Sequence, residues 1–98
     1  MRPRLTDAAE DDLAGIDAYY RVRSKTAADK VTRVILKAVR GLGKFPRMGR
    51  VGHYPGTREH ITATYGYRIV YEIDEDAGII YVPRIMQGAQ QWPPAADD

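Results

Sequence analysis

Three arginines in the second half of the chain could supply the positive charge that RNA cleavage requires. Arg58 follows a Gly-Thr pair, Arg68 lies in the segment Tyr-Arg-Ile-Val-Tyr, and Arg84 precedes Ile-Met-Gln-Gly. Attack by a 2′-hydroxyl also needs one group that accepts a proton, one that donates a proton, and cations that stabilise the phosphorane. His60 or Glu59 could exchange the proton, but nothing in the spacing requires it.

The same arginines have simpler structural interpretations. Arg58 beside Glu59 fits a surface ion pair, and Arg68 between two tyrosines fits a side chain that covers the sheet. Trp92 is typical of a plug that closes a core, although an exposed Trp near an arginine would suit a protein-binding hot spot.

The sequence lacks the residue patterns of a metal site, a phosphate-binding loop or a disulfide framework. His53 and His60 are seven residues apart across a Pro-Gly turn, without a carboxylate or cysteine pattern that would complete a metal site. The segment 49–52 lacks the Lys-Ser/Thr pair of a phosphate-binding loop. The chain has no cysteine, which excludes disulfides and thiolate metal sites. We therefore predict no metal, no cofactor and no nucleotide hydrolysis.

The composition is that of a small globular protein, with 98 residues of which 44% are hydrophobic and 29% charged. A chain of this length supports one core, so we expect a single domain over residues 1–98 with a loose tail at about 94–98. No apolar run is long enough for a signal peptide or a membrane span. Together with the absence of cysteine, this predicts a cytoplasmic protein.

The net charge of +2 hides an uneven distribution of charge along the chain. Five of the 13 acids lie between Asp7 and Asp17, whereas the window from residue 37 to residue 58 contains no acid. The cations of that window are Lys37, Arg40, Lys44, Arg47, Arg50 and Arg58. Such a stretch favours an anionic partner, either nucleic acid or an acidic protein surface, unless it is simply a solvated helix end and loop.

Two helices are predicted in the first half of the chain. Thr6 or Asp7 can cap the first helix and Ser24 the second, because their side-chain oxygens accept hydrogen bonds from first-turn amides. Gly41 and Gly43 are expected to end the second helix. Apolar residues recur at helical spacing in both segments, at Ala9, Leu13, Ile16 and Tyr20 and then at Ala28, Val31, Ile35, Ala38 and Leu42.

The second half is predicted to form short antiparallel strands after a short strand at the N-terminus. Arg50–His53 and Glu59–Thr64 can be extended, Tyr67–Ile73 alternates apolar and polar residues, and Ile79–Val82 begins another strand. Pro83 cannot donate to a ladder, so it lies at a sheet edge or at a bulge. The predicted fold is α+β, with an N-terminal helical hairpin packed on one face of a small antiparallel β-sheet.

Three stretches resemble a known family when they are taken together. They are Gly56-Thr57-Arg58-Glu59, then Tyr67-Arg68-Ile69-Val70-Tyr71, then Arg84 to Pro93 with its ending Gln90-Gln91-Trp92-Pro93. From about residue 5 to residue 93 the chain resembles the RelE/ParE toxins of bacterial type II toxin-antitoxin pairs. Phe45-Pro46-Arg47-Met48-Gly49-Arg50 makes it more similar to ParE than to RelE.

The resemblance to ParE implies a toxin that poisons DNA gyrase, blocks replication and is not itself an enzyme. It also implies a cognate ParD-like antitoxin, a complex such as a heterotetramer, and no direct sequence-specific DNA binding by this chain. Many relatives carry a His where this chain has Gln87, and Gln cannot exchange a proton near neutral pH. The alternatives are a ribosome-dependent mRNA endoribonuclease of the RelE type and an antitoxin-binding protein that has lost its toxicity.

Candidate contact residues follow from this resemblance and from the residue patterns. Target contacts are expected from Arg58, Arg68, Arg84, Gln90 and Trp92. The antitoxin is expected on the helical hairpin and the basic loop, at Leu13, Ile16, Tyr20, Val34, Ile35, Val39, Arg40 and Arg50.

Overall fold

The computed structural model describes residues 1–90; residues 91–98, which include Trp92, lie outside the described part of the chain. The elements in chain order are β1 (Arg2–Leu5), α1 (Asp7–Arg21), α2 (Lys25–Lys44), β2 (Arg50–Val51), β3 (Arg58–Ile61), β4 (Tyr67–Asp74) and β5 (Ile79–Gln87). The five strands form one sheet in the order β1-β5-β4-β3-β2. The two helices pack on one face of this sheet, which confirms the predicted α+β fold.

Both helices begin where the sequence predicts. The Thr6 side chain accepts a hydrogen bond from the Ala9 amide at 3.2 Å, and the Ser24 side chain accepts one from the Ala27 amide at 3.2 Å. Each bond satisfies an amide that has no partner inside the helix. Thr6 also donates to the carbonyls of Val82 and Pro83 at 3.2 and 3.1 Å, so this cap fixes α1 to β5.

The prediction that glycines end α2 is wrong, because α2 continues through Gly41 and Gly43 to Lys44. Gly43 is buried, and a Cβ there would lie 2.6 Å from the carbonyl oxygen of Met1. The N-terminal amine of Met1 donates to the Gly43 carbonyl at 2.7 Å. Gly43 therefore allows β1 to approach the helix closely, and α2 ends where Pro46 disfavours helical geometry at the preceding residue, Phe45.

The core lies between the helices and one face of the sheet. Its buried members are Ala9, Val31, Ile35, Val39, Leu42, Tyr67, Ile69, Tyr71, Ile80, Val82 and Ile85. Val39 is 3% exposed and belongs to this core, although it lies outside the strict apolar stripe of α2. The apolar face of α2 is simply wider than the strict spacing indicated.

The sheet contains one parallel pair that was not predicted. β1 pairs with β5 in parallel, from Arg2 opposite Ile79 to Leu5 opposite Val82, whereas the other pairs are antiparallel. The sequence signal for β1 was only a short extended lead-in, which carries no information on its partner.

Pro83 lies at a β-bulge, as one of the two predicted alternatives required. β5 is an interior strand between β1 and β4, and its residues 82 and 83 together face Tyr71 of β4. The extra residue removes the need for a ladder hydrogen bond from Pro83.

The two faces of the sheet carry different side chains. Tyr67, Ile69 and Tyr71 of β4 point to the helices, so Arg68 and Val70 point to the opposite face, because successive strand residues alternate. We call this opposite face the open face. Across the ladder Glu59 lies opposite Val70 and Ile61 lies opposite Arg68, which places both β3 residues on the open face too.

Candidate functional site

Arg58 supports the loop that follows α2. It lies opposite Tyr71, on the helix side of the sheet, and its Nη2 atom donates to the carbonyls of Gly49 and, at 3.2 Å, of Arg47. Its Nε atom is buried and has no hydrogen-bond partner. The guanidinium is therefore used inside the chain, and Arg58 does not pair with its neighbour Glu59 as the surface interpretation predicted.

Arg68 forms a buried ion pair with Glu59. The two side chains are 12% and 4% exposed, and the Arg68 Nη1 atom donates to the Glu59 carboxylate. Its Nη2 atom donates to the carbonyl of Gly88, where the chain leaves β5. Arg68 thus connects the open face of the sheet to the start of the C-terminal segment.

Burial of the Glu59 carboxyl opposes its ionisation, yet the net effect lowers its pKa below the ordinary value of 4.5. The opposing causes are the His53 amide, which donates to Glu59 at 3.1 Å, and the positive charges of Arg68 and Arg50. A carboxyl group with a lowered pKa remains ionised at neutral pH and is a poor proton donor.

Arg84 is held by Asp12 of α1. Its Nε and Nη2 atoms donate to the two carboxylate oxygens at 2.8 and 2.9 Å, and the Ile85 amide donates to the same carboxylate at 2.9 Å. The hydrogen bonds to Asp12 raise the pKa of Arg84. This two-point pair joins α1 to the part of β5 that extends beyond the end of β1.

The three predicted arginines do not converge on one site. Arg68 is on the open face, whereas Arg58 and His60 are on the helix side of the sheet. Arg84 is bound to α1. A phosphorane would need two or three cations directed at one point, together with a proton-transfer group beside them. The three arginines with His60 and Glu59 do not provide that geometry.

Gln90 and Gln87 interact at the end of β5. The Gln90 side-chain oxygen accepts a hydrogen bond from the Gln87 amide at 3.2 Å, and both residues are exposed. Gln90 therefore caps the sheet end while its side chain stays accessible to a partner. Trp92, the remaining predicted target residue, lies outside the described residues.

The predicted antitoxin-contact residues divide into three groups. Ile35 and Val39 are core residues, at 0% and 3% exposure, and present almost no surface to a partner. Arg40 and Arg50 are exposed, and Arg50 lies 3.9 Å from Glu59. The half-buried group packs at the rim of the core or beside it, and its members are Leu13, Ile16, Tyr20 and Val34.

A groove lies between α2 and β3, and we call it the α2 groove. Its volume is about 370 Å³, and its lining is mostly apolar, with one cation and one imidazole. The lining residues are Val34, Lys37, Ala38, Gly41, Met48, His60, Thr62, Ala63 and Thr64. Sequence reasoning identified Val34 but missed Met48 and Ala63, because these come from different elements that only the fold brings together.

A row of cations runs along the exposed side of α2 next to this groove. Its members, the α2 cation ridge, recur at intervals of three and four residues and are Lys30, Arg33, Lys37, Arg40 and Lys44. In residues 1–90 none of the five forms an ion pair. The ridge is about 21 Å long at 1.5 Å per residue. The spacing of these cations is visible in the sequence, but the acid-free window of residues 37–58 includes only Lys37, Arg40 and Lys44 of the ridge.

The described residues offer no group of three His, Asp or Glu side chains that could hold a metal ion. Within the same residues, no helix is long and apolar enough to cross a bilayer.

Comparison with known proteins identifies the family. Residues 4–92 match the family described as the ParE toxin of the type II toxin-antitoxin system parDE. The chain belongs to the ParE toxin family. A curated relative from Sinorhizobium fredii (strain NBRC 101917 / NGR234), named "Putative toxin Y4kP", is 38% identical over 92 residues, covering 94% of this chain and 93% of that protein.

Solved structures share the ParE-family fold of this chain. The chromosomal ParDE toxin-antitoxin system from P. aeruginosa contains a chain with a TM-score of 0.77 and 22% identity, matched over 89% of this chain and 95% of that one. The toxin-antitoxin complex RelBE2 from Mycobacterium tuberculosis matches with a TM-score of 0.68 and 20% identity, over 88% of this chain and 95% of that one. At these identities the likeness establishes the fold alone.

Proposed function

We propose that this ParE-family toxin inhibits DNA gyrase by binding it, without catalysing a reaction itself, and so blocks replication in the cytoplasm. The observation that supports this most directly is the internal pairing of its arginines. Arg58 is bound to loop carbonyls, Arg68 to Glu59 and Arg84 to Asp12. An mRNA endoribonuclease would need such cations to be free to neutralise a phosphorane.

The proton-transfer groups support the same conclusion. Glu59 is ionised and buried against Arg68, and His60 lies on the helix side of the sheet, away from Arg68. Gln87 has no titratable proton. A ParE-type protein that traps its target by binding needs none of these groups.

We also propose that a ParD-like antitoxin neutralises the toxin by seating an acidic amphipathic segment in the α2 groove. Val34, Ala38 and Met48 offer it an apolar floor, and the α2 cation ridge offers unpaired positive charge along one side. This combination suits a helix with one apolar and one acidic face. Of the antitoxin contacts predicted from the sequence, Val34 and Arg40 belong to this surface, whereas Ile35 and Val39 are buried and do not. A complex such as a heterotetramer is the expected assembly.

The experiment that tests the target compares two activities of the purified toxin. Gyrase supercoiling is measured on plasmid DNA with added toxin, and cleavage of mRNA is measured on programmed ribosomes. We expect supercoiling to be lost and protein-linked linear DNA to accumulate, with intact mRNA. Cleaved mRNA with unaffected gyrase would refute the proposal and establish the RelE-type activity, whereas no effect in either assay would indicate a binding protein without toxicity.

The antitoxin site is tested by charge reversal on the ridge. Lys37→Glu with Arg40→Glu should weaken binding of a co-expressed ParD-like antitoxin by at least tenfold, because both positions are exposed and unpaired. The matched control is Arg2→Glu with Arg4→Glu, which makes the same charge change at two exposed positions of β1, outside the ridge and at the sheet edge opposite β3, and should have a smaller effect. Equal loss from both pairs would mean that only net charge matters.

A further inference from the structure

The loop after α2 presents apolar side chains to solvent. Phe45 is 66% exposed and Met48 is 50% exposed. Together with Lys44, Pro46 and Arg47 they line a cavity of about 540 Å³, and we call these five residues the Phe45 patch. An exposed Phe beside an exposed Met contributes nothing to the core, and such apolar clusters with polar surroundings mark interaction surfaces.

The backbone beneath this patch is firmly held. The Tyr71 hydroxyl, which belongs to a fully buried side chain, donates to the Pro46 carbonyl at 2.6 Å and accepts from the Gly49 amide at 3.0 Å. Arg58 also donates to the carbonyls of Arg47 and Gly49. A Cβ on Gly49 would lie 2.6 Å from the Tyr71 hydroxyl, so only glycine fits there. Phe45 is therefore displayed by an ordered loop, which lowers the entropy that binding would otherwise cost.

The charged residues of the patch itself are both cations. Lys44 is exposed and has no ion-pair partner in residues 1–90, and the side chain of Arg47 pairs with Glu75, a surface residue that is 58% exposed. Phe, Met and Arg are the residue types enriched at the centres of protein interfaces. An apolar cavity gives no advantage in contacts with phosphate groups, so a protein partner is favoured over a nucleic acid.

We propose that the Phe45 patch is the surface with which this toxin docks onto its protein target, on an acidic surface that contains a shallow apolar cleft. This inference rests on the proposed function, since it locates the target-binding surface of a toxin that acts by binding. It also gives Arg58 a different task from the one predicted. Arg58 is a positioning residue that holds the loop, and Phe45 makes the contact.

The test uses Phe45→Ser and, as a matched control, Val22→Ser, which removes another exposed apolar side chain, at 86% exposure, from the turn between the helices. Three quantities are measured: the toxin concentration that halves gyrase supercoiling, the arrest of growth when the toxin is expressed without antitoxin, and the midpoint of thermal unfolding. We expect Phe45→Ser to raise the inhibitory concentration at least tenfold, the loss typical of a hot spot, and to relieve growth arrest at an unchanged midpoint. Val22→Ser should behave as the unmodified toxin.

A second variant tests whether Arg58 positions the loop while Phe45 contacts the target. Arg58→Lys keeps the positive charge but loses the planar group that reaches two carbonyls, so it should weaken inhibition although Phe45 is intact. The same toxins are titrated into a labelled DNA duplex without gyrase. If Phe45→Ser lost DNA binding in proportion to inhibition, the patch would be a nucleic-acid surface and the proposal would be overturned.

The outcomes also distinguish this inference from the gyrase assignment. Inhibition and growth arrest by Phe45→Ser at the level of the unmodified toxin would overturn the docking surface while leaving gyrase as the target. If the unmodified toxin arrested growth without affecting gyrase, the gyrase assignment would fail, and relief of arrest by Phe45→Ser would still support the patch. A toxin inactive in both assays has no target to dock onto, which would overturn both proposals.

Discussion

Replacing Glu59 with Gln tests whether the open face of the sheet is held by a buried ion pair. The side chain is 4% exposed and accepts hydrogen bonds from Arg68 and from the His53 amide. Glu59→Gln removes the carboxylate that neutralises Arg68, whose side chain is 12% exposed. The Arg68 guanidinium then keeps the Gly88 carbonyl as a hydrogen-bond acceptor. Breaking a buried pair in this way costs about 3–5 kcal/mol, and we expect about 3 kcal/mol because Arg68 keeps one strong acceptor.

The chain provides a matched control in a second Arg-Glu pair. Glu75 and Arg47 are 58% and 66% exposed, so Glu75→Gln should lower the free energy of unfolding by less than about 1 kcal/mol. Both free energies are measured by urea denaturation at pH 7, followed by far-ultraviolet circular dichroism. Equal effects of the two substitutions would refute the argument that burial makes the Glu59 pair important.

The pH dependence gives the same prediction a second test. The pKa of Glu59 is lowered in the folded protein from 4.5, so its ion pair contributes stability above about pH 4.5 that is lost as the pH falls through the folded value. Glu59→Gln has no such group. The difference in unfolding free energy between the two proteins should therefore shrink as the pH is lowered from 7 to 3, and a constant difference would refute the assignment.

Four further substitutions test particular contacts of the fold, each by the free energy of unfolding in urea. Gly15→Ala should stabilise α1 by about 0.5–1 kcal/mol, because nothing lies within 4 Å of the added methyl group, whereas Gly43→Ala should destabilise by about 1–3 kcal/mol, because its Cβ would lie 2.6 Å from a backbone oxygen. A gain in stability from both substitutions would contradict the packing at Gly43. Tyr71→Phe should cost about 1–3 kcal/mol because it leaves buried backbone groups of the loop without the hydroxyl, and a loss below 0.5 kcal/mol would show that the hydroxyl does not hold the loop. Asp12→Ala should cost about 2 kcal/mol by releasing Arg84, and the double substitution with Arg84→Ala should cost less than the two single losses added together.

Features set by neighbouring residues could be predicted from the sequence. The caps at Thr6 and Ser24 depend on a side chain and an amide three residues later, and the alternation of Tyr67–Ile73 depends on the pleat alone. A sheet edge or a bulge was predicted at Pro83 because proline lacks an amide hydrogen wherever it lies, and the structure has the bulge. These features need no knowledge of the partner element.

Features set by distant elements could not be predicted in this way. Gly43 resembles a helix stop in the sequence, and only the approach of β1 explains why α2 continues through it. The pairing of Arg84 with Asp12 joins residues separated by 72 positions. The interpretation of Arg58 and Glu59 as a pair was wrong because successive strand residues point to opposite faces of the sheet. Glu59 lies on the same face as Arg68 and forms its ion pair with that residue.

Some cations of this chain are paired within the fold and others are exposed and unpaired, and this difference connects the fold to the function. A formal charge count treats Arg68 and Lys37 alike, but Arg68 carries a planar group that satisfies a carboxylate and a carbonyl at once, and it is used for that purpose inside the structure. Lys37 and its ridge neighbours are exposed and unpaired in the described chain, so their charge is available to a partner. It follows that a partner of this toxin meets the α2 cation ridge and the Phe45 patch before it meets the sheet arginines, and that substitutions of Arg58 or Arg68 act first on the conformation of the toxin.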